Sequence, residues 1–271
     1  MKLKKLQIIT AALCFLIGIH NQLCHAKNMP IFAINPLDNY KETLINYADA
    51  LNLDLSSAEY SYSENGFVKF ISAEFEISLN IATGEFVYFN KVARKTIYSS
   101  DNEPISKDDI EISARDILDS FGVNSKEILR LSIKRKMLKS VEKGSIEVEE
   151  TMTAGYLVYA LRAIDSYPVD ESNAKIIFNA EGELDEIVLN WGPIESNPLR
   201  YDEVISEDQL KIIAYNDIIQ LKGIENLKIH SSYLAYTEKV GNTGAKELVP
   251  HFITIYSYDS FLQRVVIDAT K

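Results

Sequence analysis

The chain has 271 residues, with 28 basic and 39 acidic side chains and a formal charge of −11. That balance excludes a nucleic-acid binder, which needs clustered Lys and Arg facing phosphate, and it disfavours adsorption to anionic lipid. Hydrophobic residues make up 46%, enough for a core, and the length fits one to two domains at roughly 150 residues each.

The N-terminus has the order of a secretory signal. Lys2, Lys4 and Lys5 precede an apolar run of 12 residues from Ile8 to Ile19, and a polar stretch ends at Cys24-His25-Ala26. The run is too short to span a bilayer comfortably. Cleavage is expected between Ala26 and Lys27, leaving 245 residues with 25 basic and 39 acidic side chains, a charge of −14. Cys14 and Cys24 leave with the signal, so the exported chain carries no thiol, disulfide or thiolate metal site. Leu23 stands where a lipoprotein signal needs a small residue, so no lipid anchor is expected. The expected location is the periplasm, the cell envelope or the medium, without a membrane span.

After the signal, Tyr40, Leu44, Tyr47, Ala48 and Leu51 share one helical face behind Asn35-Pro36. Phe75–Leu79 and Phe86–Phe89 flank the turn Asn80–Glu85, with Gly84 before the second strand. A second helix is announced by Ile105-Ser106-Lys107-Asp108-Asp109-Ile110. Ser106 is the N-cap, Ile105 and Ile110 have staple spacing, and Asp108 suits the positive helix end. Ile110, Ala114, Ile117, Leu118 and Phe121 follow at helical spacing, up to Gly122.

Two alternating runs follow. Leu129, Leu131, Ile133 and Met137 alternate with Arg130, Ser132, Lys134 and Lys136, while Ile146, Val148 and Met152 alternate with Glu147, Glu149 and Thr151. A turn within Ser140–Ser145 would set Met137 against Val148, Ile133 against Met152, Arg135 against Glu150 and Lys136 against Glu149. In that register the acids neutralise Arg130, Lys134, Arg135, Lys136 and Lys139, and no anion site remains. Lys175–Phe178 and Ile187–Leu189 flank the turn Asn179–Glu183. The start signature then recurs as Ile205-Ser206-Glu207-Asp208-Gln209-Leu210, ahead of Leu210, Ile213, Ala214, Ile218, Leu221 and Gly223. A last hairpin joins Phe252–Tyr256 to Arg264–Asp268 through Tyr258–Phe261.

The expected fold is therefore α+β: about three tandem units, each a helix packed on an antiparallel meander. They cover 35–95, 104–195 with an inserted hairpin, and 204–271, behind the 1–26 signal.

From Tyr159 to the C-terminus the chain resembles secreted PepSY-type repeats and the propeptide modules of thermolysin-like and fungalysin-like proteases. The resemblance rests on Ser166-Tyr167-Pro168-Val169, Ile176–Leu189, Asn190-Trp191-Gly192-Pro193, Ile205-Ser206-Glu207-Asp208, Leu234-Ala235-Tyr236, Leu248–Phe252 and Val265–Ala269. Ser166 departs from the Gly common in those modules. The resemblance implies a cystatin-like sheet, no catalytic residues, and a role as chaperone, inhibitor or extracytoplasmic regulator of a protein partner.

Chemistry-bearing motifs are sparse. The exported chain has two histidines, His230 and His251, 21 positions apart and in no metal-binding motif. There is no Gly-x-Ser-x-Gly elbow and no Gly-rich phosphate loop. Tyr156, Tyr159, Tyr233, Tyr236, Tyr256 and Tyr258 are expected to pack on strands, and Trp191 to plug a sheet end. No catalytic, cofactor or metal residue is assigned. The expected function is non-enzymatic binding to a protease or envelope regulator through an open sheet face or edge, with Val265, Val266, Ile267, Asp268 and Ala269 as the edge. The rivals are an exported carboxylate hydrolase and an envelope scaffold held by an uncleaved signal.

Overall fold

The computed structural model describes residues 27–34, 39–63, 66–95, 105–141, 148–222, 227–241, 245–258 and 261–270. The signal segment 1–26, the Asn35-Pro36 helix start, most of the Ser140–Ser145 turn, Gly223 and the Asp259-Ser260 turn lie outside them.

Alternating strands dominate. The thirteen strands belong to one mixed hydrogen-bonded sheet. They are β1 (Lys27–Ala33), β2 (Glu59–Ser63), β3 (Phe67–Ile71), β4 (Phe75–Asn80), β5 (Phe86–Asn90), β6 (Ile128–Val141), β7 (Val148–Ile164), β8 (Tyr167–Phe178), β9 (Leu184–Asn190), β10 (Arg200–Val204), β11 (Lys228–Val240), β12 (Lys246–Tyr258) and β13 (Phe261–Asp268). Three α-helices accompany them among the described residues: α1 (Tyr40–Ala50), α2 (Lys107–Ser120) and α3 (Glu207–Lys222).

This corrects the expected tandem helix-on-meander units. Strands from the first two predicted units pair directly: β5 and β9 run antiparallel, with Phe86 opposite Leu189 and Tyr88 opposite Ile187. Two meanders folded separately would each have left a bare edge at β5 and at β9. Pairing those edges satisfies their backbone groups and merges the meanders.

The chain divides into two compact units. The larger comprises the described residues within 31–199 and 234–249. Its ladders run β2-β3-β4-β5-β9-β8-β7-β6, all antiparallel, and β11 joins β8 in parallel where Tyr236 meets Val169. One sheet face carries Val68, Phe70, Ile77, Leu79, Phe86, Tyr88, Val158, Ile176 and Ile187, and it packs against Leu44 and Ala48 of α1 and Ile110, Ala114 and Leu118 of α2. Ile77 and Leu79 are fully buried, each contributing about 2 kcal/mol of transfer free energy. The helices start where side chains can satisfy their first amides. The Glu42 N–H donates to Asn39 Oδ1 at 3.2 Å and the Asp109 N–H to Ser106 Oγ at 3.1 Å. Both expected turns form around an asparagine. Asn80 Oδ1 accepts from the Ala82 and Thr83 amides, and Asn179 Oδ1 from those of Glu181 and Glu183. Gly84 and Gly182 then supply positive φ, at 72° and 84°.

The smaller unit comprises, of the described residues, 27–30, 200–222, 227–233, 250–258 and 261–270. Within it, β12 pairs with β13 from His251–Asp268 to Tyr258–Phe261, and α3 packs on β13. α3 buries Leu210, Ala214 and Ile218 while leaving Ile212, Ile213 and Tyr215 exposed.

The hairpin register is a second correction. The structure pairs Met137 with Thr153, Lys136 with Gly155, Arg135 with Tyr156, Lys134 with Leu157 and Ile133 with Val158. The ladder shifts between Ile128 and Arg130, between Lys136 and Met137, and again between Ser140 and Val141. Bulges there break the strict alternation that the sequence register assumed. Gly155, at φ 134°, sits opposite Lys136, at the Lys136–Met137 shift.

Candidate functional site

The predicted edge lies on β13 and just beyond its end. The Ala269 N–H donates to Pro250 O at 3.2 Å. Odd-numbered β13 residues therefore turn their backbone groups towards β12, and Leu262, Arg264, Val266 and Asp268 turn theirs outward. Among the described residues no strand pairs with that outer side along Phe261–Asp268. The end of the segment is anchored: Val204 bridges Thr270, the Ile205 N–H donates to Ala269 O at 2.9 Å, and Asp268 Oδ1 accepts from the Thr270 hydroxyl at 2.6 Å.

The five predicted residues divide in role. Ala269 is buried, Val265 and Ile267 are half-buried, and Val266 and Asp268 are exposed. Two residues outside the prediction extend the apolar surface: Phe261 is 72% exposed and Leu262 69%. The sequence places Phe261 in a turn, although the apolar pairs Phe261-Leu262 and Val265-Val266 either side of Gln263-Arg264 were the available signal. Of the expected processing residues, Lys27 opens β1, and Ala26 lies outside the described residues.

A second feature lies in the larger unit. Leu131 and Ile133 pack on the helix-covered core, so alternation places Arg130, Ser132, Lys134 and Lys136 on the opposite sheet face, the one away from α1 and α2. Tyr159, 37% exposed, sits across from Ser132 there, and Lys175 is next along the ladder. The buried carboxylate of this face, Glu186, is already engaged: Lys175 Nζ approaches at 2.7 Å and Arg94 Nη2 at 2.8 Å. Arg94 also lies 4.5 Å above the Phe89 ring.

The Trp191 segment is held by a cluster that sequence reasoning missed. The buried Arg162 guanidinium donates to Glu127 Oε2 at 2.8 Å and to Gly192 O at 2.6 Å, with its centre 5.2 Å from the Trp191 ring. Burial pulls the Arg162 pKa down from its ordinary value, opposed by the Glu127 charge and hydrogen bond. The partners are 35 and 30 positions away from Arg162, and no local pattern links them. Tyr156, Tyr236 and Tyr256 are core residues.

His230 Nε2 lies 2.9 Å from Ser257 Oγ, and His251 is opposite Asp268. Among the described residues no three His, Cys, Asp or Glu converge on a metal position. An open depression of 420 Å³ is lined by Ile194, Glu195, Ser196 and Asn197. No helix among the described residues is long and apolar enough to cross a membrane.

No protein-family model matches this chain, and no curated protein does. The chain is similar to the crystal structure of an uncharacterized protein from Eubacterium rectale ATCC 33656, solved at 1.45 Å resolution. The TM-score is 0.54 at 12% identity, over 90% of this chain and 84% of that one. At that identity the likeness shows a shared fold and nothing finer.

Proposed function

We propose that the protein is exported and acts without catalysis, by binding another extracytoplasmic protein through the outer edge of β13. The observation that carries this reading is an edge strand with outward main-chain groups at Leu262 and Val266 beside exposed Phe261, Leu262 and Val266. An extended segment added there gains main-chain hydrogen bonds along the strand and apolar contact at its start. The resemblance to PepSY-type and propeptide modules makes a protease or envelope regulator the expected partner class.

Val266→Pro tests this directly. The Val266 N–H faces outward, so proline spares the β12–β13 ladder while removing a donor that an added strand needs. Wild-type protein isolated from the envelope fraction of producing cells is expected to retain a stoichiometric exported protein, and the proline variant to lose it with an unchanged circular dichroism spectrum. Full retention by the folded variant overturns the reading.

A further inference from the structure

The observed hairpin register reopens a surface that the sequence reading had closed. Arg130 stands across from Leu161, Lys134 from Leu157 and Lys136 from Gly155, so no carboxylate lies directly opposite any of the three. None forms an ion pair with a described residue. Glu186, on the same face, is taken by Lys175 and Arg94. In a chain of net charge −11, this is a basic stripe that no described residue neutralises. It lies on an edge, because β6 pairs only with β7 among the described residues.

Exposed apolar side chains border the stripe. Leu129 is 44% exposed and Met137 43%. Leu129 sits at the ladder shift between Ile128 and Arg130 and Met137 at the shift after Lys136, so the two flank the alternating stretch Arg130–Lys136, in which Leu131 and Ile133 take the core face. A strand added to β6 would thus meet cations on one face and apolar side chains on the other.

We propose that the outer edge of β6 takes up an extended segment of another protein in which carboxylates alternate with apolar residues. The carboxylates would face Arg130, Lys134 and Lys136, and the apolar residues would lie beside Leu131 and Ile133. Main-chain pairing supplies affinity and the alternating charge supplies register. A second copy of this chain is not the occupant, because two such edges brought together set cation against cation, the means by which lysines keep edges apart. This edge is separate from β13 and does not depend on the reading given for it.

The test uses the full exported chain and a fluorescent peptide of about ten residues alternating Glu with Val or Thr. A peptide of the same composition with all acids in one block serves as control, beside heparin and phosphatidylglycerol vesicles. The alternating peptide is expected to bind, to weaken about tenfold on raising salt from about 50 to about 200 mM, and to protect β6 amides from hydrogen exchange. Lys134→Gln/Lys136→Gln should weaken it about tenfold with the fold intact, and Val266→Pro should leave it unchanged. The inference is overturned if the block peptide binds equally, if heparin or the vesicles bind without protecting β6 amides, or if the Gln substitutions act only by changing self-association. Charge reversal, Lys134→Glu/Lys136→Glu, supplies a second variant, and its unaltered binding of the alternating peptide would also overturn the inference.

Discussion

The buried Arg162 and partly exposed Glu127 form an ion pair 2.7 Å long, and the same Glu127 oxygen accepts from Trp191 Nε1 at 3.3 Å. The guanidinium is almost fully buried, so its charge relies on this carboxylate and on Gly192 O. Glu127→Gln leaves a buried cation without its counter-charge. The expected loss is about 3 kcal/mol, at the low end for such pairs because Glu127 is partly exposed. Chemical denaturation of the variant against wild type measures it, and a change below about 0.5 kcal/mol would show the cluster to be dispensable.

Gly155 is expected to be irreplaceable by alanine. At φ 134° it occupies backbone that L side chains rarely adopt, and an added Cβ would fall on the carbonyl oxygen of Phe178. Gly155→Ala should cost about 2 kcal/mol or more. Thermal unfolding settles this, and an unshifted midpoint would argue against the bulged register at Lys136–Met137.

That residue also shows where the sequence stopped being legible. The helix starts at Ser106 and Ser206 and the turns at Asn80–Glu85 and Asn179–Glu183 depend on residues within six positions, and local chemistry specifies them. The β6–β7 register depends on a bulge that strict alternation does not encode. The only trace was a glycine inside an alternating run, a recognised sign of a bulge. The β5–β9 pairing joins residues about a hundred positions apart, and either meander read alone closes without the other. For the candidate edge, the position of β13 was legible as the last strand of a hairpin. The exposure of Phe261 and Leu262 was not, because it follows from which strand is left without a neighbour.

The helix caps give a third prediction. Ser106 accepts from the Asp109 amide, whereas Ser206 Oγ donates to Gln209 Oε1 at 3.1 Å. Ser106→Ala should cost about 1 kcal/mol. Equilibrium urea unfolding reads it, and no loss at Ser106 would contradict the capping assignment.

Alkaline unfolding follows from Tyr88. Burial pushes its pKa up to about 12, assisted by Asp185 and opposed by a hydrogen bond with Asn90. The ordinary value is about 10, so the folded state holds the proton more tightly than the unfolded state does. The stability this provides is fully present below pH 10 and is lost as pH rises from 10 to 12. Partly buried Tyr47 is shifted in the same direction, by desolvation. Tyr88→Phe should flatten the loss of stability across that window, measured by urea unfolding at stepped pH. An unchanged slope would mean that Tyr88 ionises without opposing the fold.

The central claim is that β13 receives a partner strand. Its most direct measurement is photocrosslinking in producing cells, with the reactive residue at outward-facing Leu262 and a control at exposed Tyr62 of β2. Capture by β13 predicts an adduct with one exported protein from position 262, none of the same mass from position 62, and loss of the adduct when Val266→Pro is added. An adduct of undiminished yield in the folded proline variant, or no adduct from position 262 at all, would contradict it.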